Sequence, residues 1–588
     1  MPLSSEEPKP IAPPQGSSGS AARLRRFITR FWSEALILAI AVLLWAPRLS
    51  GPIDLRWDAS VYYLLGTSLA NGDGYKIASE PGSPDALQYP PLLPALIALH
   101  QCVLGTTEPG VVASWMRLTY ALLFFIYAVA VLRLAKRYLQ PIAATTATIL
   151  CLLNPFTIFL SGLLFAEVPF ALISVLFALV AGAAYFSPPR WWHELVSFAL
   201  AASGFLLRSA GLALLAAWVL DAIMRRNWRV AATRAALSLV PVLGWQAYVA
   251  HVHSSVGYSH PAYEYQRAAY QYYNVSYLEN MRLTDPFQPE LGTLNTRLLA
   301  KRLVTSLATL PGALGEIVSA KEKDWRGTAL WLQGLISRHR LLPLSLVQVP
   351  IFALAFFAIT GLIIFFLRHE WIMLFTVLGS IALVCVTPWP AQFTRYLEPL
   401  SPFLTIAAVL GLWEITKALS ARCRRKPAVL IRAASAFLLL LAIIVELHTA
   451  TWLFSDRARQ RVVFVHHQPK TAPKWFLYDR SWQSWQEAVK WIDAHASPEA
   501  IIATSSPHFY HLQTGRLAVL PPMEADLAEE RRLLGGVPIS YVIVDQLEFL
   551  DTTRRYLLPA VQSDPDSWRL VHTVYGTTVY QHIPSRSP

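Results

Sequence analysis

Read from the amino terminus, the sequence alternates long apolar runs with short polar breaks, and the length of the runs is that of a membrane rather than of a soluble core. A helix needs about 20 apolar residues to cross a hydrocarbon layer roughly 30 Å thick. Runs of this kind fall at 31–47, 114–135, 142–160, 168–186, 193–207, 209–224, 230–250, 344–367, 371–388, 402–418 and 429–452, so about eleven spans are predicted. A further run, Pro90 to Gly105, opens on Pro90-Pro91, carries Pro94 in its first turns and holds His100 and Gln101. The positive-inside rule decides its status. If the run crosses, Arg133, Lys136 and Arg137 fall outside. If it does not, they fall inside together with Arg225, Arg226 and Arg229, with Arg368, and with Lys417, Arg422, Arg424, Arg425 and Lys426. One assumption satisfies every cluster, so the run is predicted to lie along or dip into the outer face. An odd number of crossings then puts the carboxyl-terminal part outside.

The expected fold is a polytopic α-helical membrane protein with external surface helices and a small carboxyl-terminal α/β domain. Residues 1–22, rich in Pro, Ser and Gly, read as a disordered cytoplasmic tail. Arg23, Arg25, Arg26 and Arg30 precede an apolar stretch with no small-residue cleavage site after it, which reads as an uncleaved first span with a cytoplasmic amino terminus. The transmembrane domain runs over 23–452, with external loops at about 48–113 and 251–343. Residues 453–588 form the external domain. There, helix-like stretches (Trp482 to His495, Glu524 to Leu534) alternate with β-branched runs (Ala500 to Thr504, Tyr541 to Val544, Leu570 to Val574). This domain lacks a phosphate-binding glycine pattern and reads as a docking or acceptor-recognition unit.

Composition agrees. Of 588 residues 54% are hydrophobic and 15% charged, whereas soluble domains carry about 25% charged residues. The 20 Trp and 23 Tyr suit membrane interfaces. The net charge of +13 does not mark a nucleic-acid binder, because the basic residues sit in short clusters beside apolar runs and match no nucleic-acid module. Cys102, Cys151, Cys385 and Cys423 are scattered singly, which excludes a CxxC zinc site and a disulfide scaffold.

Asp58 opens a segment whose Tyr62, Leu65, Leu69 and Ala70 share one helical stripe. The predicted amphipathic surface helix holds Asp58 at its amino terminus, either as a simple helix cap or as a base at the membrane surface. Asp54 is the rival base. Arg208 interrupts the apolar stretch Leu195 to Leu220, and an arginine at mid-membrane costs about 2.5–3.5 kcal/mol on insertion scales. Two short helices meeting at Arg208, with the arginine at the outer tip, remove that cost. Asn274-Val275-Ser276 formally matches a glycosylation acceptor.

The pattern WDASVYY, then SLANGDGY, then YPPLLPAL resembles the first-loop signature of the GT-C superfamily of glycosyltransferases, especially bacterial relatives of protein O-mannosyltransferases and lipid A aminoarabinose transferases. FAEVPFALISVLFALVA, the LxRxxGL pattern at Arg208 and PAQFTRYLEPLSPFL are similar to further motifs of that superfamily. The resemblance implies that Asp58 is the catalytic carboxylate and Glu167 an accessory one. It also implies that Arg208 and Arg395 bind a lipid phosphate, with Tyr396 and Tyr62 beside them. Where many members carry an acidic pair, Asp58 is followed here by Ala59. Glu398 reads as the neutralising partner of Arg395.

The implied activity is transfer of a sugar from a polyprenyl-phosphate donor to a glycolipid, glycan or protein acceptor, with inversion. The implied setting is the non-cytoplasmic face of a bacterial inner membrane. No cofactor is assigned, and a divalent metal ion held by Asp58 and Glu167 is left open. The competing readings are a polymerase or ligase with a polyprenyl-diphosphate donor, a lipid-linked-sugar flippase or transporter, and a catalytically silent sugar- or lipid-binding subunit.

Overall fold

Residues 18–183, 191–336, 344–389, 392–423, 425–457, 480–547 and 550–583 are described by the computed structural model. Every predicted apolar run coincides with a helix or a helix pair. Six helices are long and apolar enough to cross a membrane unaided: Phe31–Arg48, Pro109–Tyr138, Trp228–His253, Gln348–Leu367, Phe393–Arg422 and Lys426–Phe454. The number rises to eight if two bent pairs each count as one span. The runs at 168–186, 209–224 and 371–388 become the shorter apolar helices Glu167–Ala183, Ser209–Met224 and Trp371–Cys385. The first two of these begin beside a charged residue, Glu167 or Arg208, that belongs to the site described below.

Two expectations change. The predicted tail lies outside the described residues up to 17, but its last part is helical, because the first helix, Ser18–Trp45, already begins at Ser18. The distal half of the predicted 251–343 loop is not loop: Thr296–Val318 and Glu322–Gly334 form an apolar pair bent by 54°. Thr296–Val318 packs on Gln348–Leu367 and Ser401–Arg422. Its apolar face satisfies the packing demand that the polar positions of this stretch obscure in the sequence.

The basic clusters gather at one end of the bundle. Lys136 Nζ lies 2.9 Å from Glu34, the Tyr138 hydroxyl donates to Glu370 at 3.1 Å, Arg225 donates to the His369 carbonyl at 3.2 Å and Arg368 pairs with Glu414 at 2.7 Å. At the opposite end, two buried arginines fasten the 48–113 loop to the helices. Arg48 donates to the Ile158 carbonyl at 3.0 Å and to the Ser161 hydroxyl at 2.8 Å, and Arg117 donates to the Arg48 carbonyl at 2.5 Å. Each supplies donors to backbone oxygens that leave regular structure there and are buried from water.

Above this base, Asp58–Asn71 packs on Leu92–Leu104, the predicted surface helix. The second loop is layered on the first through Glu80, which is buried and accepts from the Tyr263 hydroxyl at 2.8 Å, Asn274 Nδ2 at 2.7 Å and Gln266 Nε2 at 3.3 Å. Burial pushes the Glu80 carboxyl above the ordinary glutamate range. Asn274 is consumed in this core, so the formal glycosylation acceptor is inaccessible.

The carboxyl-terminal domain is a five-stranded sheet. Its strands are β1 (Ile501–Ala503), β2 (Ala518–Val519), β3 (Ile539–Val544), β4 (Trp568–Val574) and β5 (Thr577–His582), in the order β2-β1-β3-β5-β4. β1 runs parallel to β2 and β3, while β5 is antiparallel to β3 and β4. Helices Arg480–His495 and Leu527–Gly535 match the prediction; Pro507–Thr514 was not expected. The domain is seated on the first loop. The Ala518 amide donates to the Ser79 carbonyl at 2.9 Å, the Ser79 hydroxyl meets His508 Nδ1 at 2.8 Å, and the rings of Trp57 and Trp482 meet edge-on at 5.7 Å.

The reversal at Arg208 needs a glycine. A Cβ on Gly211 would lie 2.2 Å from the Gly204 carbonyl carbon and 2.3 Å from the Phe205 nitrogen, both rigid backbone atoms. Gly211→Ala is therefore expected to cost about 1–3 kcal/mol by overpacking, read as a lowered thermal unfolding midpoint of the purified protein. An unchanged midpoint would contradict this close approach.

Candidate active site

At the end of the bundle opposite the basic clusters, four distant parts of the chain bring charged side chains together. Trp57 has φ 56° and ψ −133°, a backbone region that a bulky residue enters only at a cost of order 1–3 kcal/mol. It turns the chain so that Asp58 becomes the first residue of its helix. The carboxylate does not cap that helix. Its Oδ2 accepts from Arg395 Nη2 at 2.6 Å and its Oδ1 from the Tyr273 hydroxyl at 3.0 Å.

Arg395 stands on the short helix Phe393–Leu397 and also donates through Nε to Glu167 Oε1 at 2.7 Å. Its guanidinium lies 4.3 Å from the centre of the Phe165 ring. Glu167 is the first residue of Glu167–Ala183, and its Oε1 is 3.1 Å from Arg208 Nη1. Arg208 sits between Trp191–Leu207 and Ser209–Met224 in extended backbone (φ −152°, ψ 136°), at the reversal the sequence predicts, and its guanidinium lies 5.5 Å from the Tyr396 ring centre. Tyr62, one turn beyond Asp58, is buried with its ring 4.5 Å from Tyr89 and within electrostatic reach of all four charged residues. The structure thus brings together Asp58, Tyr62, Glu167, Arg208, Arg395 and Tyr396.

Two guanidinium groups and two carboxylates balance in charge. The four side chains range from 3% exposed for Glu167 to 19% for Asp58, the most open of them. Burial works to raise the Asp58 carboxyl, but the Arg395 charge and its hydrogen bond, with those of Tyr273 and Tyr89, outweigh it and hold the group below its ordinary value of 3.8. Asp58 is ionised at neutral pH. Arg208 Nη1 reaches Glu167 without hydrogen-bond alignment and makes no hydrogen bond among the described residues. A buried N–H without an aligned acceptor costs about 1–3 kcal/mol, and the ion pair with Glu167 is what offsets that cost.

Glu398 does not neutralise Arg395. It turns away to accept from the Thr157 hydroxyl, and Asp58 and Glu167 balance the guanidinium instead. Asp54, the rival base, is 4% exposed and held by Arg56 Nε at 3.0 and 2.9 Å, while its backbone pairs with Leu163. It ties the loop to the bundle. The donor set does not fit a divalent ion: Asp58 and Glu167 both spend an oxygen on the guanidinium between them, and no group of three metal-ligating side chains is found among the described residues. Sequence reading places Tyr273 only among the loop tyrosines that anchor at the interface or stack on a sugar, and does not single out Phe165 within its motif. Tyr273 is one of several tyrosines in a single loop, and nothing in their spacing singles it out.

Loss of Arg395 should expose the linkage. In wild type the lowered Asp58 value contributes stability above the unfolded carboxylate range, lost only as pH falls through the folded value. In Arg395→Gln, burial without the cation raises the group, so that variant regains stability as pH falls. The gap in unfolding free energy between the two proteins should be roughly 3–5 kcal/mol at neutral pH and narrow toward acidic pH. A gap independent of pH would remove Asp58 from the coupling.

No family model matches the chain, and no curated protein matches it in sequence. Solved structures are similar to it at low identity. The oligosaccharyltransferase AglB from Archaeoglobus fulgidus, in complex with an inhibitory peptide and a dolichol-phosphate, is 13% identical over 95% of this chain and 75% of that one, with a TM-score of 0.48. The Archaeoglobus fulgidus enzyme tethered to an acceptor peptide is 12% identical over the same shares, with a TM-score of 0.49. ArnT from Cupriavidus metallidurans bound to undecaprenyl phosphate is 12% identical over 94% of this chain and 98% of that one, with a TM-score of 0.48. At these values the likeness carries no functional weight of its own.

Proposed function

We propose that this chain is a membrane glycosyltransferase of the GT-C kind, which moves a sugar from a polyprenyl-phosphate donor to an acceptor at the non-cytoplasmic face, with inversion. The observation that carries the reading is the linked set Asp58, Arg395, Glu167 and Arg208, in which an ionised and partly exposed carboxylate shares a guanidinium with a second acid at one end of an apolar bundle.

Such a donor holds its phosphate and anomeric carbon just beyond the hydrocarbon layer. Arg208, with its unsatisfied N–H, and Arg395 meet the phosphate by charge-assisted hydrogen bonds. The acceptor hydroxyl oxygen attacks the anomeric carbon as its proton passes to Asp58. The bond between that carbon and the phosphate oxygen breaks, and the polyprenyl phosphate leaves with the electron pair, stabilised by the two guanidinium groups. One displacement by one base inverts the centre. Tyr273 holds Asp58 in place, and Tyr62 and Tyr396 flank the reacting sugar. Transporters bind substrate near the bilayer midplane between repeats. A charged site at the bundle end, roofed by loops and a folded domain, favours chemistry over transport.

Purified full-length protein in lipid nanodiscs, incubated with a panel of polyprenyl-phosphate sugars, should release the carrier, followed by mass spectrometry. Asp58→Asn should lower release by about 10²–10⁴-fold with the fold intact, whereas Asp54→Asn should mainly lower the yield of folded protein. Near-wild-type turnover in Asp58→Asn would sink the assignment of the base. Donor movement across the bilayer without carrier release would favour a flippase.

A further inference from the structure

Two neighbouring residues of the first loop grip the two structures that lie over it. Ser79 takes the terminal domain: its carbonyl accepts from the Ala518 amide at 2.9 Å, and its hydroxyl meets His508 Nδ1 at 2.8 Å. Glu80 takes the second loop by accepting from Asn274 Nδ2 at 2.7 Å, and Asn274 directly follows Tyr273. Because Ser79 and Glu80 are adjacent, His508 and Tyr273 are set against each other by a single peptide step. Their rings meet edge-on, 4.9 Å between centres and 76° between planes. The Tyr273 hydroxyl in turn donates to Asp58 Oδ1 at 3.0 Å. The path ends on the loop where it began, at the proposed base.

Ser79, Glu80, Asn274 and His508 are all buried, so water competes little for these bonds and each is strengthened by its low-dielectric surroundings. On the terminal-domain side, His508 stands in the first turn of Pro507–Thr514, and the preceding Ser505 donates to the buried Asp545 at 2.6 Å. Tyr272, at 4.5 Å between ring centres, and Tyr89, at 6.2 Å, also pack on the Tyr273 ring. Burial, with His511 nearby, pushes the His508 imidazole down to about 3, so it is uncharged at physiological pH. A second cation beside the phenol would add to Arg395 and weaken the base further. A neutral ring fixes the phenol by contact and leaves the field at Asp58 to Arg395.

Resting on the glycosyltransferase reading, we propose that His508 of the terminal domain is a positioning residue for the reaction: through Tyr273 it fixes the direction of the Asp58 carboxylate. The base is then correctly aimed only while the terminal domain is seated on Ser79.

Two measurements on the full-length protein in nanodiscs keep this role separate from the proposed function. With 3-fluorotyrosine incorporated in place of Tyr273 and no donor present, the fluorine-19 signal reports the ring and its bond to Asp58. It should move in Asp58→Asn and in His508→Ala, and move less in Ser79→Ala, which removes only the hydroxyl that holds His508 and serves where His508→Ala lowers the yield. A signal unmoved in both His508→Ala and Ser79→Ala would overturn the role whether or not a carrier is released. In the carrier-release assay, Tyr273→Phe should lower kcat about tenfold, the loss of one hydrogen bond to a charged group, at unchanged donor KM because the phosphate clamps are untouched. His508→Ala should lower kcat several-fold, again at unchanged KM, while His508→Phe, which keeps a ring against Tyr273, should retain most of the turnover. The double variant Tyr273→Phe with His508→Ala should fall no further than Tyr273→Phe alone. Losses that multiply would place the action of His508 outside Tyr273 and overturn the proposal. In both single variants the acidic limb of the kcat profile should move to higher pH, because the bond from Tyr273 favours ionised Asp58; a general loosening of the fold would instead lower kcat alike at every pH. A moved fluorine signal with no carrier released from any donor supports the positioning role and counts against the transferase.

Discussion

One guanidinium organises this end of the molecule. Arg395 reaches Asp58 with one nitrogen and Glu167 with another, and those acids come from chain segments more than a hundred residues apart in sequence. Without the cation, two carboxylates would face each other with little water to screen them. With it, each acid fixes the arginine for the other. The planar donor fork serves two acceptors in a set geometry, which a lysine's point charge cannot do. The short helices end where they do because Glu167 and Arg208 must both reach this centre, and their apolar segments are correspondingly shorter than full spans.

Around that centre, buried polar contacts set the loops. Arg48 and Arg117 bind the first loop to the helix ends, the Asp54–Arg56 pair stiffens the loop where Asp54's backbone pairs with Leu163, and Glu80 gathers the second loop over it. Buried pairs of this kind add little net stability against apolar packing, yet breaking one is costly. Their effect is to select a single loop arrangement. The strained backbone at Trp57 is held inside that arrangement, between the Phe159 and Phe165 rings on one side and Trp482 of the terminal domain on the other. The terminal domain thus helps hold the turn that aims Asp58.

Much of this was legible in the sequence for physical reasons. Apolar run length located every helix of the predicted spans, and the cost of an arginine in hydrocarbon located the reversal at Arg208. Charge clusters beside those runs identified one end of the bundle, where their side chains do converge. The number of full spans was not legible, because run length alone does not distinguish a crossing helix from one that stops at a buried charge. Nor was the Thr296–Val318 helix, whose apolar face is diluted by polar positions. The pairing of Arg395 was misread locally: Glu398 is three residues away in sequence, but its helix turn directs it toward Thr157. Asp54 and Asp58 were equal by spacing and differ only in what surrounds them. The pairing of Tyr273 with Asp58 joins two loops, and local pattern carries no information on such contacts.

In the transfer proposed, the position of Arg395 resolves an apparent conflict. A carboxylate held below its ordinary pKa by a cation is a weak base, and a base is what the reaction requires. Donor binding changes the balance, because the phosphate brings a further negative charge to the same two guanidinium groups. Arg395 then shares its field between phosphate and carboxylate, so Asp58 becomes more basic when the donor is in place. As the proton reaches Asp58, its negative charge disappears while an equal charge develops on the departing phosphate. The guanidinium between them meets a nearly constant total charge through the displacement, and little reorganisation is needed when the bond breaks. Glu167 matters here without touching a proton. By holding Arg395 through Nε it keeps Nη2 turned toward the side where base and phosphate exchange charge, so that the arginine cannot follow the charge away from either.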